Sequence, residues 1–151
     1  MTQEVIEINE KTGEGFKKIM QGQFDDIEES LKPFLGIMAK HIVNERQRLG
    51  GDFAIAQAVF SRTQRDLLRE LLGPDLVFIV MNMTKESQIE RVSKRHAGNL
   101  PESFMNVLFN WREMCEPAGD DEANAYNLDI TGNMTKEEVV QKVLEIASNI
   151  K

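Results

Sequence analysis

Apolar residues along this chain fall into two patterns, short continuous runs and helical spacings. Residues 53–60 and 75–81 are almost continuous apolar runs, which are typical of strands buried on both faces of a parallel sheet. Residues 126–130 are predicted as a shorter third strand. Because these runs alternate with helical segments, the pattern predicts an α/β fold, a three-layer sandwich around a short parallel sheet with right-handed crossovers.

The first half of the chain carries several helix signals. Residues 8–20 place apolar side chains at helical spacing. A longer helix is predicted from a cap at Ser30 to Gly50–Gly51, since glycine commonly ends helices. Ser61 is the predicted cap of a helix that ends at Leu72, directly before a Gly-Pro pair.

The same signals continue in the second half. Thr84 is predicted to cap a helix that runs to about Arg95. Pro101 suits the first turn of the next helix, because proline needs no hydrogen-bond acceptor there. Thr135 and Glu138 stand three residues apart, which predicts a capping box at the start of the last helix.

Length and charge narrow the classes of function. The chain has 151 residues, which fits a single domain over residues 1–151. Its net charge of −7 argues against a general nucleic-acid binder, which needs a basic surface. Cys115 is the only cysteine, so no internal disulfide can form, and no apolar run is long enough to span a membrane. With no signal peptide recognised, we predict a cytoplasmic protein with neither nucleic acid nor a membrane as partner.

Four segments occur in an order that resembles a known family. They are Lys18–Asp26, Ser61–Arg69, Glu90–Arg95 and Cys115–Glu122. The ordered set resembles the gluconate kinase family, within the group of small P-loop kinases that includes shikimate and adenylate kinases. The resemblance extends over roughly residues 17–147. It implies a P-loop kinase-like fold, whose members phosphorylate small hydroxylated metabolites with ATP and magnesium.

The phosphate-binding loop of that family, G-x-x-x-x-G-K-[ST], has no match in this sequence. In P-loop kinases its backbone N–H groups wrap the phosphates, and its hydroxyl holds magnesium. The nearest candidate, residues 12–18, has the wrong glycine spacing and no hydroxyl after the lysine. Residues 57–61 and 109–111 also depart from the family at substrate-side positions, which argues against gluconate as the substrate.

We therefore expect a P-loop kinase-like domain truncated at its N-terminus, without the first strand and the Walker A loop. As this chain it is expected to be non-catalytic, to need no cofactor, and to act as a binding or self-associating protein. The alternative is an ATP-dependent small-metabolite kinase of which this chain is a fragment or splice form. ATP and magnesium would then be its cofactors. A third hypothesis is a sensor of anions or nucleotides.

Four arginines are the candidate anion-binding or phosphate-binding residues. Arg62 and Arg65 lie on one predicted helix, where they share a face. Arg91 and Arg95 are four residues apart at the start of a lid-like segment around residues 94–104. In the family, lid arginines clamp the transferring phosphoryl group, and the bidentate guanidinium suits phosphate oxygens. The alternative for each arginine is a solvated face paired with neighbouring carboxylates.

A loop after the last strand is the candidate adenine-side loop by the same resemblance. It consists of Thr131, Gly132 and Asn133. The alternative is an ordinary turn, which the missing phosphate loop favours. No metal site is predicted, because two separated histidines and one cysteine do not form a zinc site.

The missing strand has a structural consequence. In P-loop kinases it lies in the middle of the sheet, here between residues 53–60 and 75–81. Its loss would leave unpaired edges, which are costly and open to pairing with another chain. The two strands could pair directly, residues 3–9 could replace the strand, or two chains could complete each other's sheet. We favour the last, so the expected partner is a second copy, with a phosphate or nucleotide as the ligand that the arginines suit.

Overall fold

The computed structural model describes residues 13–15, 17–18, 20–23, 25–57, 59–96, 98 and 101–150. Within this part the chain forms two compact units. The described residues within Met1–Leu76 and Asn110–Glu116 form unit 1, and those within Val77–Phe109 and Pro117–Lys151 form unit 2. Each unit is described by itself below.

The elements confirm a mixed α/β chain. In chain order they are α1 (Ile27–Leu49), α2 (Arg62–Leu72), β1 (Phe78–Met83), α3 (Lys85–Arg95), α4 (Glu102–Glu113), β2 (Ala125–Ile130) and α5 (Lys136–Ser148). The described residues from 13 to 20 are also helical. None of the described helices is long and apolar enough to cross a membrane.

Unit 2 contains a parallel sheet that has two strands among the described residues. β1 and β2 pair in register from Phe78 opposite Ala125 to Met83 opposite Ile130. Two predicted strands therefore exist, with β1 displaced toward the C-terminus from its predicted residues 75–81. Leu128 and Ile130 are buried on this sheet, whereas Met81 is 56% exposed.

The strand predicted at residues 53–60 is wrong, because its described residues have no regular secondary structure. Ile55 is about half exposed, unlike a residue of a buried strand. Alanine, which is depleted in strands, makes up much of the run. The backbone groups of Phe60 form hydrogen bonds outside any sheet. Its N–H donates to Gln64 Oε1 at 2.9 Å, and its carbonyl accepts from Glu116 N–H at 2.8 Å. Direct pairing with β1 is therefore not observed, and residues 3–9 lie outside the described residues.

Three of the four predicted helix caps are confirmed. Ser61, Thr84 and Thr135 each accept a hydrogen bond from the backbone three residues on, and Thr135 forms the full capping box with Glu138. The cap predicted at Ser30 is wrong. α1 begins at Ile27, after Asp26 in the left-handed conformation, and the Ser30 hydroxyl donates to the carbonyl oxygen of Asp26.

Unit 1 is held by a small apolar core at the start of α1. Ile27, Leu31 and Met114 are buried together, and the rings of Phe60 and Trp111 pack against them with centroids 6.0 Å apart. Two of these residues lie at the C-terminal end of α4: Trp111 is in its last turn, and Met114 follows it directly. The core therefore places the chain around residue 116 beside the beginning of α2, where the first candidate arginines lie.

Candidate functional site

Arg65 lies inside unit 1. It is completely buried on α2, and its guanidinium donates to the carbonyl oxygen of Glu116 at 3.0 Å. The backbone N–H of Glu116 in turn donates to Phe60 O at 2.8 Å. A buried guanidinium bonded to the main chain ties two segments together, and it is poorly placed to receive an anion from solvent.

Arg62 lies one turn earlier and is much more open. Its side chain is 43% exposed and forms an ion pair with Asp66 at 3.6 Å. Its backbone N–H donates to Glu116 Oε2 at 2.7 Å. Arg62 through its backbone N–H and Arg65 through its guanidinium thus both contact Glu116.

Glu116 is a structural residue that the sequence did not identify. Its carboxylate accepts a hydrogen bond from the first residue of α2, where helix N–H groups lack internal partners and negative charge is favoured. Ser61, the N-cap of the same helix, donates from its hydroxyl to Glu28 Oε1 at 2.5 Å. Only the resemblance had drawn attention to the Cys-Glu-Pro segment, because no local spacing connects residue 116 with residue 62.

Arg91 lies in unit 2, on α3. Its Nε donates to Thr131 O at 3.1 Å, and a terminal nitrogen donates to Met134 O at 2.5 Å. The structure therefore joins a candidate lid arginine to the candidate adenine-side loop. The guanidinium fastens α3 to the turn after β2, and these contacts occupy donors that phosphate oxygens would otherwise use.

Gly132, in the middle of that loop, is buried against α3. A Cβ at this position would overlap the carboxylate of Glu90 and come within 3.1 Å of its Cβ. The Glu90 carboxylate is held from the other side by Lys94 Nζ at 2.6 Å. The hydroxyl of Thr131 donates to Asn133 Oδ1 at 2.7 Å, which closes the turn on itself. Gly132 is thus covered by Glu90 of α3, whereas Thr131 and Asn133 are exposed.

Arg95 differs from the other three arginines. It is exposed in the last turn of α3, and among the described residues its side chain has no hydrogen bond or ion pair. The neighbouring His96 ring contacts Phe104, with centroids 5.9 Å apart. Three positions of the lid-like segment, residues 97, 99 and 100, lie outside the described residues. Anion binding at Arg95 stays a prediction.

A second polar cluster lies on one face of the sheet in unit 2. Asn82 Nδ2 donates to Asn127 Oδ1 at 3.0 Å and to Asp129 Oδ1 at 3.4 Å. Asn127 also bonds both main-chain groups of Ala118, accepting from its N–H at 2.9 Å and donating to its carbonyl at 2.8 Å. These contacts hold the acidic loop before β2 against the sheet, so they account for the polar residues inside both strands.

Metal-ligating side chains and the Cys115 thiol were also compared with the requirements of a metal site and of a nucleophile. No three His, Cys, Asp or Glu side chains of that part of the chain converge in a group that could hold a metal ion. Burial raises the pKa of the Cys115 thiol, although the charge of Arg112 opposes the shift. The thiol donates to Trp111 O at 3.4 Å. It therefore stays protonated at neutral pH and is a weak nucleophile.

Three comparisons with known proteins return no match: no family model, no curated protein and no solved structure matches this chain. The likeness to gluconate kinases therefore stays a resemblance of four segments. Among the described residues, the guanidinium of Arg91 is bonded to loop carbonyls, and the side chain of Glu90 lies against Gly132.

Proposed function

We propose that this chain is a P-loop kinase-like domain that does not transfer phosphate and that works as a self-associating protein. The observation that carries the proposal is the parallel sheet, in which β1 and β2 are the only strands among the residues that the structure describes. Parallel sheets are normally covered on both faces, and two strands alone are marginal in water. A second chain that extends this sheet would supply the missing pairing and would cover Met81, which is 56% exposed.

The proposal that the chain does not transfer phosphate is supported by the missing phosphate loop and by the contacts of two candidate arginines. Phosphoryl transfer depends on positioning and charge stabilisation by a phosphate cradle, and the sequence contains no G-x-x-x-x-G-K-[ST]. Arg65 is buried against Glu116, and Arg91 is bonded to Thr131 and Met134. Both arginines therefore serve the fold.

Sedimentation of the whole chain over a range of concentrations tests self-association. The proposal predicts a dimer that dissociates on dilution. Calorimetry with magnesium-ATP tests the second half of the proposal, for which no binding at micromolar concentration is expected. Micromolar binding of magnesium-ATP would contradict the non-catalytic assignment while leaving self-association intact.

A second candidate, an ATP-dependent small-metabolite kinase, is favoured by one observation. Arg95 is exposed on the last turn of α3, and among the described residues no side chain pairs with it. A lid arginine that binds the phosphoryl group only when substrate is present would have the same surroundings in the free protein. If this candidate is right, magnesium-ATP stabilises the chain against heat, and Arg95→Ala abolishes that stabilisation without changing the melting temperature of the free protein.

A further inference from the structure

The buried face of α2 is mostly polar. Its N-cap Ser61 is buried, as are Gln64, Arg65 and Leu68, which follow at helical spacing. Gln64 is only 2% exposed, and Arg65 is not exposed at all. Glutamine and arginine are stable in such positions only when their polar atoms form hydrogen bonds. Each polar atom on this face therefore needs a partner.

Other polar groups on this face have protein partners. The Ser61 hydroxyl donates to Glu28 and accepts from the backbone N–H of Gln64 at 3.2 Å. Arg65 donates to the carbonyl oxygen of Glu116, and Gln64 Oε1 accepts from Phe60 N–H at 2.9 Å. Gln64 Nε2 differs, because it is buried and has no hydrogen-bond partner within the described part of the chain.

The contact with Phe60 fixes which way the Gln64 amide points. A backbone N–H can only donate, so the amide atom that faces it must be the oxygen. Exchanging the oxygen and the nitrogen would set two donors against each other. The nitrogen and its two N–H groups are therefore the atoms without a partner, and leaving a buried donor unbonded is costly.

A second buried donor lies beside the same residue. Trp111, in the last turn of α4, packs its ring on that of Phe60, and its Nε1 is buried without a partner among the described residues. An indole N–H only donates, and it usually finds an acceptor when it is buried. Gln64 and Trp111 thus both contact Phe60, one at its backbone and one at its ring, and each presents a donor that needs an acceptor.

The chemistry of the surroundings selects a small and neutral acceptor. Both donors are uncharged, and Phe60 and Trp111 pack against the apolar core of Ile27, Leu31 and Met114. An anion in such surroundings would lose its hydration without gaining a countercharge from these donors. Protein interiors are close-packed, so the acceptor must also be small. Water meets these requirements, and buried waters typically bond to polar groups that lack a protein partner.

We propose that unit 1 contains internal water beside Phe60, to which Gln64 Nε2 and Trp111 Nε1 donate. This water completes the hydrogen bonds of the polar face of α2 and of the indole in α4. The site is independent of self-association and of phosphate transfer, so it goes beyond the function proposed above and can fail without affecting it.

Nuclear magnetic resonance of the whole chain labelled with ¹⁵N tests the proposal. The chain has one tryptophan, so it gives a single indole N–H signal. Long-lived water should give Overhauser cross peaks to the indole proton and to the Gln64 amide protons, with the sign of cross peaks within the protein. Bulk water gives the opposite sign, and the rotating-frame experiment separates both from proton exchange. The Gln64 signals are identified by their proximity to the Phe60 amide proton.

Two controls sharpen this measurement. The side-chain amide of Asn110 donates to Met20 O at 3.3 Å in an exposed position, so it should show only the bulk-water sign. The Ser61 hydroxyl exchanges its proton with water and could relay a cross peak to Gln64. Ser61→Gly removes that hydroxyl and keeps a residue that is accepted at helix N-caps, so the cross peaks of both donors should persist in it.

A crystal structure gives a second answer that does not depend on the variant. A water oxygen is expected about 2.7–3.2 Å from each of the two nitrogens. A carbonyl of the chain itself at either nitrogen would give no water cross peak there and would overturn the proposal. Loss of the cross peaks in folded Ser61→Gly would also overturn it. So would an indole signal that moves after the chain is refolded from urea in plain buffer, because a bound small molecule would then be the acceptor.

Discussion

At the scale of single residues, the candidate arginines divide by their surroundings. Arg65 is completely buried and bonded to the Glu116 carbonyl, whereas Arg95 is exposed and makes no side-chain hydrogen bond or ion pair within the described part of the chain. Both lie on helices and look alike in the sequence. Their roles are set by what the rest of the chain places beside them, so substitutions at the two positions should behave differently.

Arg65→Met should lower the free energy of unfolding by about 1–3 kcal/mol, because it removes a part-buried hydrogen bond and leaves the Glu116 carbonyl without its donor. Arg95→Met is the matched control and should change stability by less than about 0.5 kcal/mol, as expected for an exposed side chain. Urea unfolding measures both. Equal losses at the two positions would contradict the structural role of Arg65.

Cys115 gives a second prediction at this scale. Because burial raises the pKa of its thiol, little thiolate is present at neutral pH. Reaction with a disulfide reagent at pH 7 should be slower for the folded chain than for the same chain unfolded in urea. The rate should keep rising with pH beyond the ordinary range of a cysteine pKa before it levels off. A folded chain that reacts as fast as the unfolded one would show that the pKa of the thiol is not raised in the folded state.

At the scale of elements, the starts of several helices can be predicted from residues close together in the sequence, whereas strands cannot. Ser61, Thr84 and Thr135 were predictable as caps, because each bonds to a backbone N–H three residues away. The run at residues 53–60 was not predictable as irregular, because a strand exists only where another strand pairs with it. The joining of Arg91 to the loop after β2 likewise depends on residues about 40 positions apart, which no periodicity reveals.

The capping box of α5 predicts a dependence of stability on pH. Hydrogen bonds from the backbone N–H and the hydroxyl of Thr135 hold the pKa of Glu138 below its ordinary value of about 4.3. The carboxylate therefore stabilises the folded state fully above that value, and the contribution is lost as the pH falls through the lowered pKa. The stability difference between the parent and Glu138→Gln should shrink as the pH drops below about 4.

Glu137→Gln is the control for this experiment. Glu137 is also in the first turn of α5, so it shares the helix dipole, but it does not belong to the capping box. Its substitution should give a smaller and flatter difference from the parent over the same pH range. Identical pH profiles for the two variants would show that the dipole alone, rather than the capping box, is responsible.

The contact between α3 and the loop after β2 gives a further prediction. Gly132→Ala should lower stability slightly, by at most about 1 kcal/mol, because the added methyl group displaces the exposed carboxylate of Glu90 and comes close to its Cβ. In a Glu90→Ala background the loss should be smaller, since most of the overlapping atoms are gone. Gly36→Ala is the control: nothing lies near its Cβ position in α1, so it should raise stability by about 0.5–1 kcal/mol. Additive losses at Gly132 and Glu90 would contradict the packing described.

At the scale of the whole molecule, the central claim is that the chain completes its sheet with a second copy. The α/β class follows from the alternation of apolar runs and helices, and it is confirmed. The number of strands does not follow, because the sequence cannot show which apolar run finds a partner. The claim is supported by β1, which contains no charged residue, and by the exposure of Met81, because strands without charges are open to association at a sheet edge.

Sedimentation velocity of the full chain across a wide range of concentrations tests this claim most directly. The monomer has a mass of 17.2 kDa, so the dimer would have twice that mass. We predict a single boundary that moves from the monomer to the dimer value as concentration rises, with no larger species, because pairing about a two-fold axis is closed. Sedimentation at the monomer mass up to the highest concentration that stays in solution would contradict it.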